Sequence, residues 1–372
     1  MNDFFLADDL SGALDAAAGF HRAGEKVTVA MAGSAVSSEA SGRVIGITTE
    51  TRNVNEALAA RAVSEAIEQA GRDGGRLLFK KIDSTLRGPI VAELQAMLAA
   101  MPEARVLFTP ANPRAGRTVR NGTLLVRGAP VAETEFGRDP LWPVRESSLR
   151  TLLREISPER LVIADAETEA DLASAVDRMD AAGGEWIAVG SGALARAVAA
   201  RGKIRETKIN RRIPLLPAGP TVMICGSAHP ANRVQAEQLR CDRGVPVCDV
   251  RMDNGAVVAR LGLEALRSGG GASLVVEPTR VESAAILRAV ANLATQAIVG
   301  ASVRRSFITG GETAFAVCAA LGIKTLDFVG EIEPGVCLAS ATVRGNLSLI
   351  AIKPGGFGDA ETWVRVWDAL NA

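Results

Sequence analysis

Through the first half of the chain, short apolar runs alternate with Ala-rich amphipathic stretches. The runs at residues 4–7, 27–32, 44–48, 77–81, 106–109, 161–164 and 186–190 predict strands. Between them, residues 11–23, 55–71, 87–100, 168–182 and 193–201 predict helices. Strands that are apolar on both faces and separated by helices are the pattern of a parallel sheet. A parallel neighbour is reached only through a crossover, and the crossovers cover both faces. Right-handed crossovers then place helices on either side of an open sheet. Residues 121–136 break this rhythm and predict a hairpin or flap, with Asn121-Gly122 as its turn.

Residues 204–219 are basic, carry two prolines and lack a helical period, so they predict a linker. Alternation then restarts. Strands are expected at 221–225, 245–250, 273–277, 306–309, 326–330, 336–340 and 348–352, and helices at 231–243, 255–267, 283–299, 313–321 and 359–370. The expected fold class is α/β with two domains, each an open, mostly parallel sheet flanked by helices. The domains would span residues 1–203 and 220–372, with an active site in the cleft between them.

Composition narrows the function. Lys+Arg number 42 and Asp+Glu number 42, so there is no cationic surplus for a nucleic acid or a membrane surface. No run of about 18 apolar residues is present, and the N-terminal segment is acidic where a secretion signal would be basic. A cytoplasmic protein is expected, with small molecules as partners; a homo-oligomer stays open. Tyrosine is absent and His21 and His229 are the only histidines, which argues against a His-rich metal centre. The five cysteines lack CxxC spacing and predict buried free thiols, and no protein-held metal is expected.

Ligands of open α/β sheets sit beyond the carboxyl ends of the strands, so the residues following each strand matter most. After the first comes Ala7-Asp8-Asp9-Leu10-Ser11-Gly12, which reads equally as a helix cap or as a site. Arg52 follows the third strand, either as a bidentate clamp for a carboxylate or as an exposed loop residue. The fourth leads into Lys80-Lys81-Ile82-Asp83-Ser84-Thr85-Leu86-Arg87-Gly88, where ammonium, carboxylate, hydroxyl and guanidinium groups suit a polyhydroxy acid. The fifth leads into the Arg-rich loop Pro110-Ala111-Asn112-Pro113-Arg114-Ala115-Gly116-Arg117. Gly190-Ser191-Gly192-Ala193-Leu194-Ala195 has the form of a dinucleotide fingerprint, but no acidic strand end follows about 20 residues on. In the second half, three glycine-bearing turns each precede a helix: Gly226-Ser227-Ala228-His229, Gly310-Gly311-Glu312-Thr313 and Lys353-Pro354-Gly355-Gly356-Phe357-Gly358. Such turns let a backbone approach a polyphosphate. A P-loop motif is absent.

Together these blocks resemble the four-carbon acid sugar kinase family along nearly the whole chain, and Asp83-Ser84-Thr85-Leu86-Arg87-Gly88 is the most specific of them. The resemblance implies an N-terminal domain for a tetronate-type sugar acid and a C-terminal domain for ATP. It implies phosphorylation of the 4-hydroxyl of an acid such as threonate, erythronate or a 3-oxo-tetronate. By the same likeness Asp9, Arg52, Lys81, Ile82, Asp83 and Ser84 fall on the substrate side, joined by Arg87 of the same block. Ser227, Gly310, Gly311, Glu312, Thr313 and Gly355 or Gly356 fall on the ATP side. Arg52 and Lys81 would hold the carboxylate while Asp9 and Asp83 fix hydroxyls. One of those two would be the general base, Asp9 first and Glu312 as a rival, with Mg2+ bridging the phosphates. Two other classes compete: a nicotinamide-dependent hydroxy-acid dehydrogenase resting on residues 190–195, and a non-catalytic sugar-acid-binding protein.

Overall fold

In a computed structural model of the chain, the first apolar run, β1 (Phe4–Ala7), is buried at every residue. It is followed by α1 (Leu10–Arg22), whose Ala-rich face packs inward. The residues described are 2–34, 43–72, 74–139, 141–201, 214–227, 229–251, 255–276 and 283–372. Most of the expected linker, residues 204–213, lies outside them, as do Ala228 and Glu277. The chain divides into two units, Met1–Ile209 and Asn210–Ala372.

In the first unit the chain continues through β2 (Val27–Ala30), β3 (Val44–Thr48), α2 (Glu56–Arg72), β4 (Leu77–Lys81), α3 (Ile90–Ala100) and β5 (Arg105–Thr109). A small antiparallel sheet follows: β6 (Arg117–Arg120), β7 (Thr123–Val126) and β8 (Ala129–Pro130). The turn α4 (Leu149–Leu152), β9 (Leu161–Ile163), α5 (Glu169–Ala182), β10 (Trp186–Gly190) and α6 (Gly192–Arg201) complete it. The large sheet runs β2-β3-β1-β4-β10-β5-β9, parallel throughout. Close packing sets its details. The Phe5 ring stacks on Phe20 at 5.3 Å and fills the space where Gly46 lacks a side chain. A Cβ on Gly19 would lie 3.0 Å from the Arg196 backbone, so only glycine lets α1 cross α6 this closely.

The expected flap is the β6–β8 sheet. Asn121 and Gly122 both adopt positive φ (50° and 71°), the geometry of a two-residue hairpin turn. Asp165 grips that turn through the Asn121 and Gly122 amides at 2.7 and 2.8 Å. The helix expected from residue 87 starts only at Ile90. Leu86 and Gly88 have φ of 66° and 97°, and Pro89 follows, so Arg87 stands on a loop.

The second unit contains β11 (Thr221–Cys225), α7 (Pro230–Arg243), β12 (Val247–Val250), α8 (Gly255–Arg267), β13 (Gly271–Val276), α9 (Ser283–Gly300), β14 (Arg305–Thr309) and α10 (Gly311–Ala320). It closes with β15 (Thr325–Glu333), β16 (Val336–Val343), β17 (Asn346–Lys353) and α11 (Thr362–Asn371). Its sheet runs β12-β13-β11-β14-β17-β16-β15. The first five strands are mutually parallel, while β15–β16–β17 form an antiparallel meander. Connections as short as Arg344-Gly345 cannot make a parallel crossover, and both residues have positive φ. The core gathers Met223, Leu239, Phe307, Leu349 and Trp363, with Phe307 edge-on to Trp363 at 5.5 Å. Four of the five cysteines are buried free thiols; Cys241 is exposed, on the solvent side of α7. Among the described residues no helix is long and apolar enough to cross a membrane.

Candidate active site

In the first unit, β1 lies between β3 and β4. The chain moves from β1 to β2 and β3 on one side and returns to β4 on the other. The loops after β1 and β4 therefore diverge at a topological switch point, where open α/β sheets form a crevice. Asp8 and Asp9 leave β1 there. Asp9 caps α1, accepting from the Gly12 amide at 2.7 Å and the Ser11 hydroxyl at 2.6 Å. Asp8 accepts from the Asp83 amide at 3.1 Å, tying the two loops together.

Arg52 relieves the repulsion between the two carboxylates. Its guanidinium grips both in bidentate fashion, Asp8 through two bonds of 2.9 Å and Asp9 through bonds of 2.8 and 2.7 Å. Four of its five N–H groups are thereby used. Burial opposes the Arg52 charge, but Asp8 and Asp9 outweigh it and hold the group charged well above its ordinary value. Burial would also raise Asp8, yet Arg52 brings it below the usual carboxylate range.

The loop after β4 builds the other wall. Asp83 accepts from the Thr85 hydroxyl, the Arg87 amide (3.3 Å) and the Arg87 guanidinium (2.8 and 3.3 Å). Against the upward pull of burial, Arg87 and then Arg52 hold its carboxyl well below the ordinary range. Arg87 reaches on to Asp139 at 3.2 Å. Lys80 is fully buried and paired with Glu93 at 2.7 Å. Lys81 points the other way, its Nζ donating to the Ile82 carbonyl at 2.9 Å. A Cβ on Gly12 would come within 3.2 Å of that Nζ. The Ile82 side chain is buried in the core, which leaves its main chain as the part of this residue that could meet a ligand. Ser84 accepts a hydrogen bond from Arg117 Nη1.

Sequence reasoning passed over three residues of this cluster. Glu50, after β3, adopts φ of 51° and accepts from the Thr48 hydroxyl. Burial and then the neighbouring Asp9 push its carboxyl up to about 8. Phe136 and Asp139, from the segment after β8, meet Arg87 across roughly fifty residues of chain. The flap pattern was a signal of irregular structure there, but nothing local marks those two residues. Gly190 and Gly192 have a packing role: a Cβ on Gly190 would strike the Thr109 carbonyl, and one on Gly192 the Asp15 carboxylate, both at 2.0 Å.

In the second unit the three glycine turns converge. A Cβ on Gly355 would lie 2.8 Å from Ser227 Oγ, one on Gly356 2.7 Å from the His229 ring, and one on Gly226 2.2 Å from Thr313 Oγ1. Gly310, at φ 101°, precedes Gly311 at the start of α10, with Glu312 in its first turn and Thr313 buried. His229 caps α7 by accepting from the Ala231 amide on Nδ1 at 3.2 Å. Beneath the third turn, the buried Lys353 ammonium donates to Asn232 Oδ1 at 2.9 Å and to the Gly355 carbonyl at 2.8 Å. Burial draws Lys353 down to about 8. Glycines pressed against neighbouring turns keep the main chain accessible at helix starts, the arrangement in which free amides face an anion. Among the described residues no three His, Cys, Asp or Glu side chains gather to hold a metal ion.

Both units match known domain families. Residues 4–160 match a sugar-binding N-terminal domain, and residues 222–363 a nucleotide-binding C-terminal domain. The chain is 30% identical to D-threonate kinase of Bordetella bronchiseptica over 98% of its own length and 96% of that protein. It is 28% identical to 3-oxo-tetronate kinase of Methylobacterium radiotolerans, covering 98% of each. A solved structure from Salmonella typhimurium LT2 shares the fold over 99% of both chains, with a TM-score of 0.78 at 20% identity. The chain belongs to the four-carbon acid sugar kinase family.

Proposed function

We propose that the protein is an ATP-dependent kinase that phosphorylates the terminal 4-hydroxyl of a four-carbon sugar acid. The observation that carries this reading is the crevice after β1 and β4, where buried carboxylates are locked in place beside Lys81, a cation with no carboxylate within ion-pair distance among the described residues. Residues 1–203 hold the sugar acid, residues 220–372 hold the nucleotide, and 204–219 join them. Lys81 faces the acid's carboxylate, its Nζ donating to a neutral main-chain carbonyl, that of Ile82, and to no carboxylate among the described residues. Arg52 contributes its remaining N–H and keeps Asp8 and Asp9 in register.

Phosphoryl transfer asks little covalent work of the protein, so orientation and charge dominate. Asp9, fixed by four donors, accepts the proton of the attacking 4-hydroxyl. Asp83, held ionised by Arg87 and Arg52 against the pull of burial, orients a hydroxyl. The turns holding Ser227, Gly310, Gly311, Glu312, Thr313, Gly355 and Gly356 bind the ATP phosphates through main-chain amides. Mg2+ travels with the nucleotide and neutralises its phosphate charge.

The test is an ADP-release assay over a panel of four- and five-carbon sugar acids, including D-threonate, L-threonate, D-erythronate and 3-oxo-tetronates. ADP release that depends on one acid supports the reading, and none with any acid defeats it. The names of the relatives favour threonate and 3-oxo-tetronates as the first acids to try.

A further inference from the structure

Cations around the first-unit crevice fall into two groups. Arg52 is paired with Asp8 and Asp9, Arg87 with Asp83 and Asp139, and Lys80 with Glu93. Arg117, at the start of β6, has no carboxylate within ion-pair distance among the described residues. Its Nη1 donates to the Ser84 hydroxyl, and its guanidinium lies 5.7 Å from the centre of the Phe136 ring. Arg87 lies over the same ring, also at 5.7 Å. The Nε of Arg117 is buried and has no hydrogen-bond partner.

We propose that Arg117 is a specificity-determining residue that anchors the carboxylate of the sugar acid, a deepening that rests on the kinase reading above. A guanidinium that is desolvated, crowded by other guanidinium groups and left without a carboxylate is destabilised until an anion joins it. The direction of its titration agrees: burial, helped by Arg87 and Arg52, draws Arg117 below the ordinary arginine value even against the attraction of Asp83 and Asp15, neither of which pairs with it. The Ser84 bond and the aromatic ring fix the planar group in one orientation, which removes much of the entropy cost of a fork-to-carboxylate contact. The Ser84 bond also holds this group against the loop that leaves β4 after Lys81 and carries Asp83. An acid's carboxylate held by Arg117 and Lys81 leaves its hydroxyls toward Asp83 and Asp9. A neutral polyol of the same length would gain the hydroxyl contacts and forgo the ion pair.

The test compares the wild-type full chain with Arg117→Gln and Arg117→Lys. Calorimetric titration with D-threonate, L-threonate, D-erythronate and the matching neutral tetritols reads ligand affinity without requiring turnover. For the preferred acid, Arg117→Gln is expected to weaken binding roughly 10- to 100-fold, with Arg117→Lys in between. Tetritol binding and ATP binding should change by less than about threefold, because neither depends on an ion pair with Arg117. Unchanged acid affinity in Arg117→Gln overturns the proposal. Equal losses for acid and tetritol also overturn it, because they mark a structural role. If the wild type binds an acid but releases no ADP, the kinase reading fails while the Arg117 comparison still decides this one. Absence of acid binding by the folded wild type defeats both.

Discussion

Arg52 shows how one side chain can hold two adjacent carboxylates together. Adjacent Asp8 and Asp9 read equally as a helix cap or as a site, and the cap reading holds for Asp9. Asp9 is the cap of α1, and Asp8 anchors the loop after β4. Their charges coexist because a guanidinium more than forty positions away bridges them. Asp9→Asn and Asp83→Asn should both lower kcat, with the larger loss, on the order of 100-fold or more, at Asp9 if it is the base. A larger loss at Asp83 in ADP-release kinetics would reverse those roles. Glu50 provides a pH signature. Its carboxyl is pushed up to about 8 by burial and Asp9, so the folded chain holds a proton there that the unfolded chain releases near the usual glutamate value. Stability from this group is complete at acid pH and declines as pH rises toward 8. Glu50→Gln should remove that decline. In thermal melts from pH 5 to 9, the advantage of the variant should grow with pH, and a constant difference would refute the assignment.

At the scale of elements, agreement between pattern and structure follows from locality. Strands β1, β3, β4 and β10 begin and end where their apolar runs do, since burial on both faces leaves one solution for so short a segment. The departures also have local causes. Helix α3 starts late because Leu86, Gly88 and Pro89 hold the chain in a loop, and that loop is what frees Arg87 to grip Asp83. The antiparallel meander could have been read from its two-residue turn at Arg344-Gly345, which a parallel expectation overlooked. The glycine turns of the second unit carry a prediction of their own. In Gly355→Val the new side chain would collide with Ser227 and push the turn away from the start of α7. ATP affinity, read by calorimetric titration, should fall about tenfold or more as the amides lose their aim; unchanged affinity would move the nucleotide elsewhere. Lys353→Met should act in the same direction. It removes the ammonium that ties the turn to Asn232. Below pH 8 part of its cost should be offset, because a buried charge disappears with the bond.

Across the whole molecule, the two units suit different chemistry from similar sheets. The first gathers charged side chains at a switch point, and the second gathers main-chain turns at helix starts. If residues 1–203 serve the acid and 220–372 the nucleotide, losses should separate. Asp9→Asn should leave ATP affinity within about twofold, and Gly355→Val should leave acid affinity equally intact. Comparable losses of both ligands in either variant would break the division of roles. From sequence alone came the α/β class, the two-part organisation and the segments that bear chemistry, all of which rest on local information: periodicity, turn residues and motifs within about ten positions. Tertiary structure settled which charges are already matched. Arg52 read as a clamp or as an exposed loop residue, and it is engaged by two aspartates. Arg117 looked like one arginine among several on a basic loop, yet among the described residues it is the crevice guanidinium with no carboxylate within ion-pair distance. Pairing of that kind depends on distances between residues far apart in the chain, and only folding brings them within reach of one another.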